Sequence, residues 1–173
     1  INFLNYEEVV QKLNDIISND EFCYEIIFFY GKLKLKNNKY SVSELIQING
    51  LSQIHILEKI LFQKKNIFKT LVVTSVAGDL IRDKNYIYSL SKNLLSNYIK
   101  FLKNYKKINI IDLKIGPTIT KMTKDEKKNF LFSKSSLVAQ KIYQVLKYKN
   151  NEIVYIPFFW KYILFILRLL PNF

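Results

Sequence analysis

Thr70-Leu-Val-Val-Thr-Ser75-Val-Ala-Gly78 is an apolar, largely β-branched run that a glycine closes. Such a run is typical of a buried strand in a parallel sheet, and it places Ser75 at the carboxyl end of that strand. Open α/β sheets bind their ligands along this edge. The pattern therefore makes Ser75 a candidate binding or catalytic residue.

The segment Tyr88-Ser-Leu-Ser-Lys92 lies in a helical pattern of apolar residues that continues to Leu102. Because residues four apart share a helix face, Tyr88 and Lys92 are expected to lie side by side. Two other tyrosines, Tyr30 and Tyr143, also precede a lysine by four positions. Of these three tyrosines, only Tyr88 has a hydroxyl residue 13 positions upstream, and that residue is Ser75.

These three side chains suit proton exchange with a carbonyl or alcohol oxygen. A cation beside a phenol favours phenolate, so Lys92 is expected to lower the pKa of Tyr88 from its usual value of about 10. The hydroxyl of Ser75 could bind the same oxygen and stabilise the charge that develops on it. The alternative interpretation is an exposed surface pair on a helix, with Ser75 merely ending a strand.

Thr74-Ser75-Val-Ala-Gly78, followed by Tyr88-x-x-Ser91-Lys92, resembles the catalytic core of the short-chain dehydrogenase/reductase family. The resemblance extends over most of the chain. It implies an α/β fold with a doubly wound, Rossmann-like parallel sheet and NAD or NADP as cofactor. It also implies hydride transfer to or from a carbonyl or alcohol, with Ser75, Tyr88 and Lys92 as catalytic residues.

Other landmarks of the family fall in order around this core. Asn49 matches a helix asparagine and would hold a water that links Lys92 to solvent; its alternative role is a buried amide that satisfies the helix backbone. By the resemblance, the cofactor-binding residues are Gly31, Tyr88, Lys92, Gly116 and Thr120. Thr120 could bind the nicotinamide amide or, equally, cap the helix that follows it.

Strands and helices alternate along the chain, as in a parallel sheet with helical crossovers. The predicted strands are Ile1–Leu4, Glu25–Tyr30, Ile67–Ser75, Ile108–Ile115 and Glu152–Ile156. The predicted helices are Glu7–Ile17, Ser43–Gln63, one that carries Tyr88 and Lys92, Lys134–Lys147 and an apolar one from 157 to 173. With 173 residues, 49% of them hydrophobic, residues 1–173 are expected to form a single domain.

One element of the family pattern is missing. The four glycines are too far apart to form the glycine-rich turn that cradles a dinucleotide pyrophosphate. The sequence thus predicts a partial Rossmann-like domain that lacks the first two strands and the glycine-rich loop, as a truncated member of the family would. By itself this chain is expected to bind a dinucleotide only weakly.

The net charge of +13 raises nucleic acids and anionic membranes as partners. The lysines are dispersed over loops and helix ends, which favours a solvated surface, and we predict no nucleic-acid partner. His55 is the single histidine and has no second histidine or cysteine pair near it, so no metal site is predicted.

Residues 158–170 are apolar nearly all round, with Lys161 and Arg168 seven positions apart on one side. Thirteen residues rise only about 20 Å, too little to cross a hydrocarbon core of about 30 Å. One interpretation is an interfacial helix with Trp160 at the lipid headgroups. The other is a helix packed against its own domain or a second subunit.

This tail and Thr120-Lys-Met-Thr123 most resemble the polyprenyl-phosphoryl keto-pentose reductases of arabinan synthesis, which are membrane-associated. The resemblance implies a small-molecule carbonyl or sugar substrate, lipid-linked or activated, and a homo-oligomer in the intact protein. It also implies a cytoplasmic location, peripheral at the inner face of the membrane. The alternative function is a non-catalytic fragment or basic binding module that cannot hold the cofactor.

Overall fold

A sheet of parallel strands with helices on both faces organises the computed structural model, which describes residues 3–18, 21–33, 40–63, 67–80, 83–105, 108–150 and 152–170. The helices are α1 (Tyr6–Ile16), α2 (Val42–Ile46), α3 (Ser52–Gln63), α4 (Tyr86–Tyr105), α5 (Ser135–Tyr148) and α6 (Trp160–Leu169). The strands are β1 (Tyr24–Phe28), β2 (Ile67–Ser75), β3 (Ile110–Ile115), β4 (Thr118–Ile119), β5 (Ser133–Lys134) and β6 (Ile153–Ile156).

The main sheet has the order β1-β2-β3-β6, with every neighbouring pair parallel. Its one face packs on α1, α3 and α4 through a cluster that includes Phe28, Val72 and Ile110. Its other face packs on α5 through Leu71 and Leu113. Most residues of β2 and β3 are buried, on both faces, as in parallel sheets that helices cover on both sides. The predicted α/β fold is confirmed, with fewer strands than a complete doubly wound sheet.

The helix predicted over Ser43–Gln63 is continuous but changes its winding. Between α2 and α3, residues Gln47–Leu51 form one turn of π-helix that contains Asn49. Ser41 begins α2 as part of a capping box, because its hydroxyl accepts from the Glu44 N–H while the Glu44 carboxylate accepts from the Ser41 N–H. π-bulges occur frequently at functional sites.

The strand predicted for Ile1–Leu4 is wrong where the structure describes it. Phe3 and Leu4 form a turn before α1, and Ile1 and Asn2 lie outside the described residues. Phe3 stacks its ring on Tyr30, with ring centroids 3.7 Å apart. Phe3 thus covers an aromatic side chain rather than extending the sheet.

The apolar C-terminal helix, α6, has one buried side and one exposed side. Trp160 and Leu164 are 4% and 3% exposed and form a third cluster with Val76, which packs against Leu80 and Leu131. The prediction that Trp160 reaches lipid headgroups is therefore wrong, because its indole lies inside the protein. No helix within the described residues is long and apolar enough to cross a membrane.

The close approach of Trp160 to Gly116 yields a stability prediction. A Cβ added at Gly116 would lie 2.2 Å from Trp160 Nε1, so Gly116→Ala forces a buried indole to move. We expect a loss of about 1–3 kcal/mol in the free energy of unfolding, the usual cost of overpacking. Urea unfolding measures it, and the loss should shrink when Trp160 is leucine. An equal loss in both backgrounds would show that the indole is not the obstacle.

Candidate active site

Ser75 ends β2 at the carboxyl edge of the sheet, level with Ile115 of β3. Its hydroxyl oxygen accepts from the Ala77 N–H at 3.1 Å and so begins a short 3₁₀ turn, Val76–Gly78. The same hydroxyl lies 3.4 Å from the carbonyl of Ile115. These contacts fix the Ser75 side chain at the edge where ligands bind in open α/β sheets.

Tyr88 lies in the first turn of α4, and its phenol is hydrogen-bonded to the hydroxyl of Ser75. Gly78 allows the 3₁₀ turn to press against α4, since a Cβ there would lie 3.0 Å from both the Asn93 nitrogen and the Lys92 carbonyl carbon. The amide of Asn93 also donates to the Gly78 carbonyl at 2.7 Å. The structure therefore brings Ser75 and Tyr88 together.

Lys92 is 2% exposed and lies one helical turn from Tyr88 on α4. Its ammonium nitrogen donates to the carbonyls of Tyr30 at 3.3 Å and Val73 at 3.2 Å. Tyr30 follows β1, and Val73 lies two residues before the end of the neighbouring strand β2. The exposed surface pair considered as the alternative interpretation is thus contradicted for Lys92. The lysine joins α4 to the carboxyl edge of the sheet.

Asn49 is fully buried, and its amide hydrogen-bonds to the backbone of its own helix and to the loop after β1. Its amide nitrogen donates to the Leu45 carbonyl at 2.9 Å and to the Lys32 carbonyl at 2.8 Å, while its oxygen accepts from the Lys32 N–H at 2.7 Å. Gly31 lies between this amide and Lys92: a Cβ there would lie 3.0 Å from Asn49 Oδ1 and 3.7 Å from Lys92 Nζ. Asn49 therefore anchors the loop after β1 beside Lys92.

One cavity of about 1120 Å³ brings the predicted residues together. Its lining includes Ser75, Tyr88 and Lys92 and, from the predicted cofactor positions, Gly31, Gly116 and Thr120; Asn49 lies behind the wall. Thr120 is exposed and precedes a 3₁₀ turn, Lys121–Thr123, with its N–H donating to Thr123 Oγ1 at 3.1 Å. Ligand pockets in proteins have volumes of about 300–1,000 Å³, so this one can hold more than a small carbonyl compound.

The protonation equilibria differ from the sequence-based expectation. Burial raises the pKa of Tyr88, and the hydrogen bond from Ser75 opposes this only in part. Burial lowers the pKa of Lys92 to about 7, with the Asp112 carboxylate acting in the opposite direction. The expected lowering of the Tyr88 pKa by Lys92 is not found, because the Lys92 ammonium contacts two carbonyls rather than the phenol. Tyr88 is accordingly a neutral phenol at neutral pH, which can donate a proton.

Solved structures of several dehydrogenases share this architecture. An alcohol dehydrogenase from the archaeon Thermococcus sibiricus, complexed with 5-hydroxy-NADP, matches with a TM-score of 0.71 and 16% identity, over 90% of this chain and 71% of that one. A short-chain dehydrogenase from Burkholderia cenocepacia in complex with NADP matches with a TM-score of 0.74 and 15% identity, over 98% of this chain and 74% of that one. The chain has the short-chain dehydrogenase fold.

A short-chain dehydrogenase from Streptomyces avermitilis agrees, with a TM-score of 0.71 and 13% identity over 97% of this chain and 75% of that one. No protein-family model and no curated protein sequence matches the chain. At these identities the likeness establishes the fold. Ser75, Tyr88 and Lys92 all line the one cavity at the carboxyl edge of the sheet.

A buried polar network beneath this edge was not predicted from the sequence. In β3, Asp112 and Lys114 are 1% and 3% exposed. Ser96 of α4 donates to Asp112 at 2.5 Å, and Lys114 pairs with Asp79 at 2.6 Å. Thr74 also donates to Asp112. The available signal was an acid and a base two positions apart, hence on one face, in an otherwise apolar strand.

Neither the lone histidine nor any acidic group forms a metal site within the described residues, where no cluster of three metal-ligating side chains occurs. His55 packs its ring on Tyr6 at 4.4 Å between centroids. It lies in α3, away from the cavity lining. His55 is thus part of the packing between α1 and α3.

The depressed pKa of Lys92 predicts how stability depends on pH. The unfolded lysine binds a proton up to its ordinary pKa of 10.5, whereas the folded one loses it near 7. Between these values the unfolded state holds more protons, so this group makes the free energy of unfolding rise with pH, by up to about 1.4 kcal/mol per unit. Urea unfolding at about pH 7.5 and about pH 9.5 should show that rise. Lys92→Met should reduce it, and an unchanged slope would contradict the assignment.

Proposed function

We propose that the protein is an NAD(P)-dependent oxidoreductase of the short-chain dehydrogenase/reductase family, which transfers hydride to or from a carbonyl or alcohol carbon. The observation that carries the proposal is the hydrogen-bonded pair of Ser75 and Tyr88 beside buried Lys92, on one cavity at the carboxyl edge of the sheet. Solved structures of the same fold support it, since two of the three described above, those from Thermococcus sibiricus and Burkholderia cenocepacia, contain NADP or a derivative of it.

The residues around the cavity fit the nicotinamide end of such a cofactor. At Gly31 the backbone lies close to both Asn49 and Lys92, so a side chain there would fill the space in front of the ammonium group. Gly31, Tyr88, Lys92, Gly116 and Thr120 are the residues that would hold it. No glycine-rich turn exists among the four glycines of the sequence, so the pyrophosphate would need groups other than a glycine loop of this chain.

A bound reduced nicotinamide would supply the hydride to the carbonyl carbon and be left oxidised. Tyr88 gives its phenolic proton to the carbonyl oxygen, so that the product is an alcohol. Burial raises the pKa of Tyr88, so the phenol is protonated at neutral pH and gives up its proton as negative charge develops on the carbonyl oxygen. Ser75 donates to the same oxygen and stabilises its developing charge. In the direction of oxidation, the tyrosine must instead accept the proton from the alcohol.

Lys92 has a positioning role. Its hydrogen bonds to the carbonyls of Tyr30 and Val73 hold α4 against the ends of β1 and β2. Asn49 fixes the loop after β1 from the other side through both atoms of its amide. The hydroxyl of Tyr88 is thus presented to the cavity by a rigid frame, which preorganises the donor for transition-state binding.

For the substrate we propose a keto group on a lipid-linked or activated sugar. The cavity supports a sizeable, partly apolar compound, because Val76, Leu80, Leu131, Trp160 and Leu164 line it. Exposed lysines at the rim, Lys121 and Lys127, would suit a phosphate group. Homo-oligomerisation and a location at the membrane remain predictions from the sequence resemblance.

The test is a turnover assay of the natural gene product with NADH or NADPH and a panel of ketones, including keto-sugars with and without a diphosphate. We expect loss of nicotinamide absorbance that depends on the ketone, and we expect the diphosphate form to have the lower KM. Absence of turnover with every ketone, together with salt-sensitive binding of nucleic acid, would favour the alternative of a basic binding module.

A further inference from the structure

The outer face of α6 carries a row of exposed apolar side chains. Phe158, Tyr162, Phe165, Ile166 and Leu169 are between 58% and 73% exposed. Their spacing of three or four residues places them on one side of the helix and of the turn before it. Five large apolar side chains in one stripe form a contiguous patch, and patches of this kind mark interaction sites. We call these five residues the outer face of α6.

Packing inside the domain does not use this face. The opposite side of the helix already buries Trp160 and Leu164 against Val76, and Leu131 packs on the same cluster. Phe130, the neighbour of Leu131 in the chain, is 90% exposed. The segment that precedes β5 thus carries a second exposed apolar side chain, next to a residue that packs on the α6 cluster.

Positive charge borders the patch on one side of α6. On α6, Lys161 and Arg168 are exposed and the helix contains no acidic residue. Arg168 lies 3.5 Å from the Asp79 carboxylate, yet its side chain stays 59% exposed, and Asp79 already pairs with Lys114 at 2.6 Å. The segment before Phe130 adds exposed cations against two acidic groups, Asp125 and Glu126: these cations are Lys121, Lys124, Lys127 and Lys128.

We propose that the outer face of α6 docks on an anionic lipid surface. An apolar stripe bordered by lysine and arginine complements acyl chains beneath negatively charged headgroups. A second copy of the same helix would fit less well, because α6 carries Lys161 and Arg168 and offers them no acidic partner. A ten-residue helix rises about 15 Å, so it would lie in the interface rather than cross it.

The experiment compares vesicle binding of the natural gene product and two double variants. Phe165→Gln with Ile166→Gln removes two side chains of the outer face. Leu137→Gln with Tyr143→Gln removes matched side chains from α5, which are 55% and 67% exposed. Co-sedimentation uses vesicles of phosphatidylcholine, with or without one-third phosphatidylglycerol, at low and high salt. Unchanged thermal unfolding midpoints confirm that each variant is folded.

The unaltered protein should bind the phosphatidylglycerol vesicles more tightly than pure phosphatidylcholine, and salt should weaken the binding. The α6 variant should lose about 100-fold in partitioning, since each large apolar side chain contributes about tenfold. The α5 variant should bind like the unaltered protein. Equal losses in both variants, or no binding to the anionic vesicles, would overturn the proposal. The proposal would also be overturned if sedimentation velocity shows a dimer of the unaltered protein, if the α6 variant alone is monomeric, and if the unaltered protein does not bind vesicles.

Discussion

Tyr88→Phe is expected to lower turnover by about 10²- to 10⁴-fold, the usual contribution of a positioned general acid. The substitution removes one oxygen atom from a partly buried ring, so the packing around α4 is retained. It also removes the hydrogen bond to Ser75, which would then be free to bind the carbonyl oxygen alone. The measurement is kcat for ketone reduction at saturating cofactor.

Tyr86→Phe is the matched control on the same helix. Tyr86 is 52% exposed and lies two residues before Tyr88, on a different side of α4. Its removal should leave kcat unchanged. Ser75→Ala should lower kcat as well, by about 10²-fold or more for the loss of one donor to the developing oxyanion. Full activity of Tyr88→Phe would remove that tyrosine from the mechanism.

Asp79→Leu is expected to cost about 3–5 kcal/mol of unfolding free energy, because it leaves the buried ammonium of Lys114 without its partner at 2.6 Å. Lys114 would retain Ser96 Oγ at 2.8 Å and the Asp112 carboxylate at 3.6 Å, which compensate only in part. Lys114→Met should also destabilise the protein. It leaves the Asp79 carboxylate, which is 9% exposed, with two remaining partners among the described residues, Tyr155 and the more distant Arg168.

The double variant Asp79→Leu with Lys114→Met separates the pair from its surroundings. Replacing a buried ion pair with apolar side chains of similar volume is often neutral, so the double variant should lose less than either single variant. Urea unfolding of all four proteins gives the coupling energy. Losses that simply add would show that Asp79 and Lys114 do not depend on one another.

The site could be predicted from the sequence because its parts lie on regular elements. The β-branched run predicted β2 and so the position of Ser75. The helical spacing of apolar residues predicted α4. Four-residue spacing then placed Tyr88 and Lys92 on one face. What spacing could not give is the direction of the Lys92 ammonium, which contacts two carbonyls because these are the nearest acceptors at the ends of β1 and β2.

Other features depend on contacts between distant parts of the chain. The π-turn around Asn49 has no local signature, and the amide is held by Lys32, 17 residues away. A short apolar run such as Phe3–Leu4 does not distinguish a strand from a turn that covers Tyr30. In α6 nearly every position is apolar, so the sequence could not tell that Trp160 faces inward.

In the proposed reaction Tyr88 protonates the carbonyl oxygen while the carbonyl carbon receives a hydride from the cofactor. To test it, the natural gene product is supplied with reduced nicotinamide cofactor that carries two deuterium atoms at C4, and the alcohol is analysed by mass spectrometry over time. We expect one deuterium on the former carbonyl carbon with the unaltered protein and with Tyr86→Phe, and formation of the same labelled alcohol about 10²- to 10⁴-fold more slowly with Tyr88→Phe. Unlabelled alcohol from the unaltered protein, or labelled alcohol formed at full rate by Tyr88→Phe, would contradict the proposed reaction.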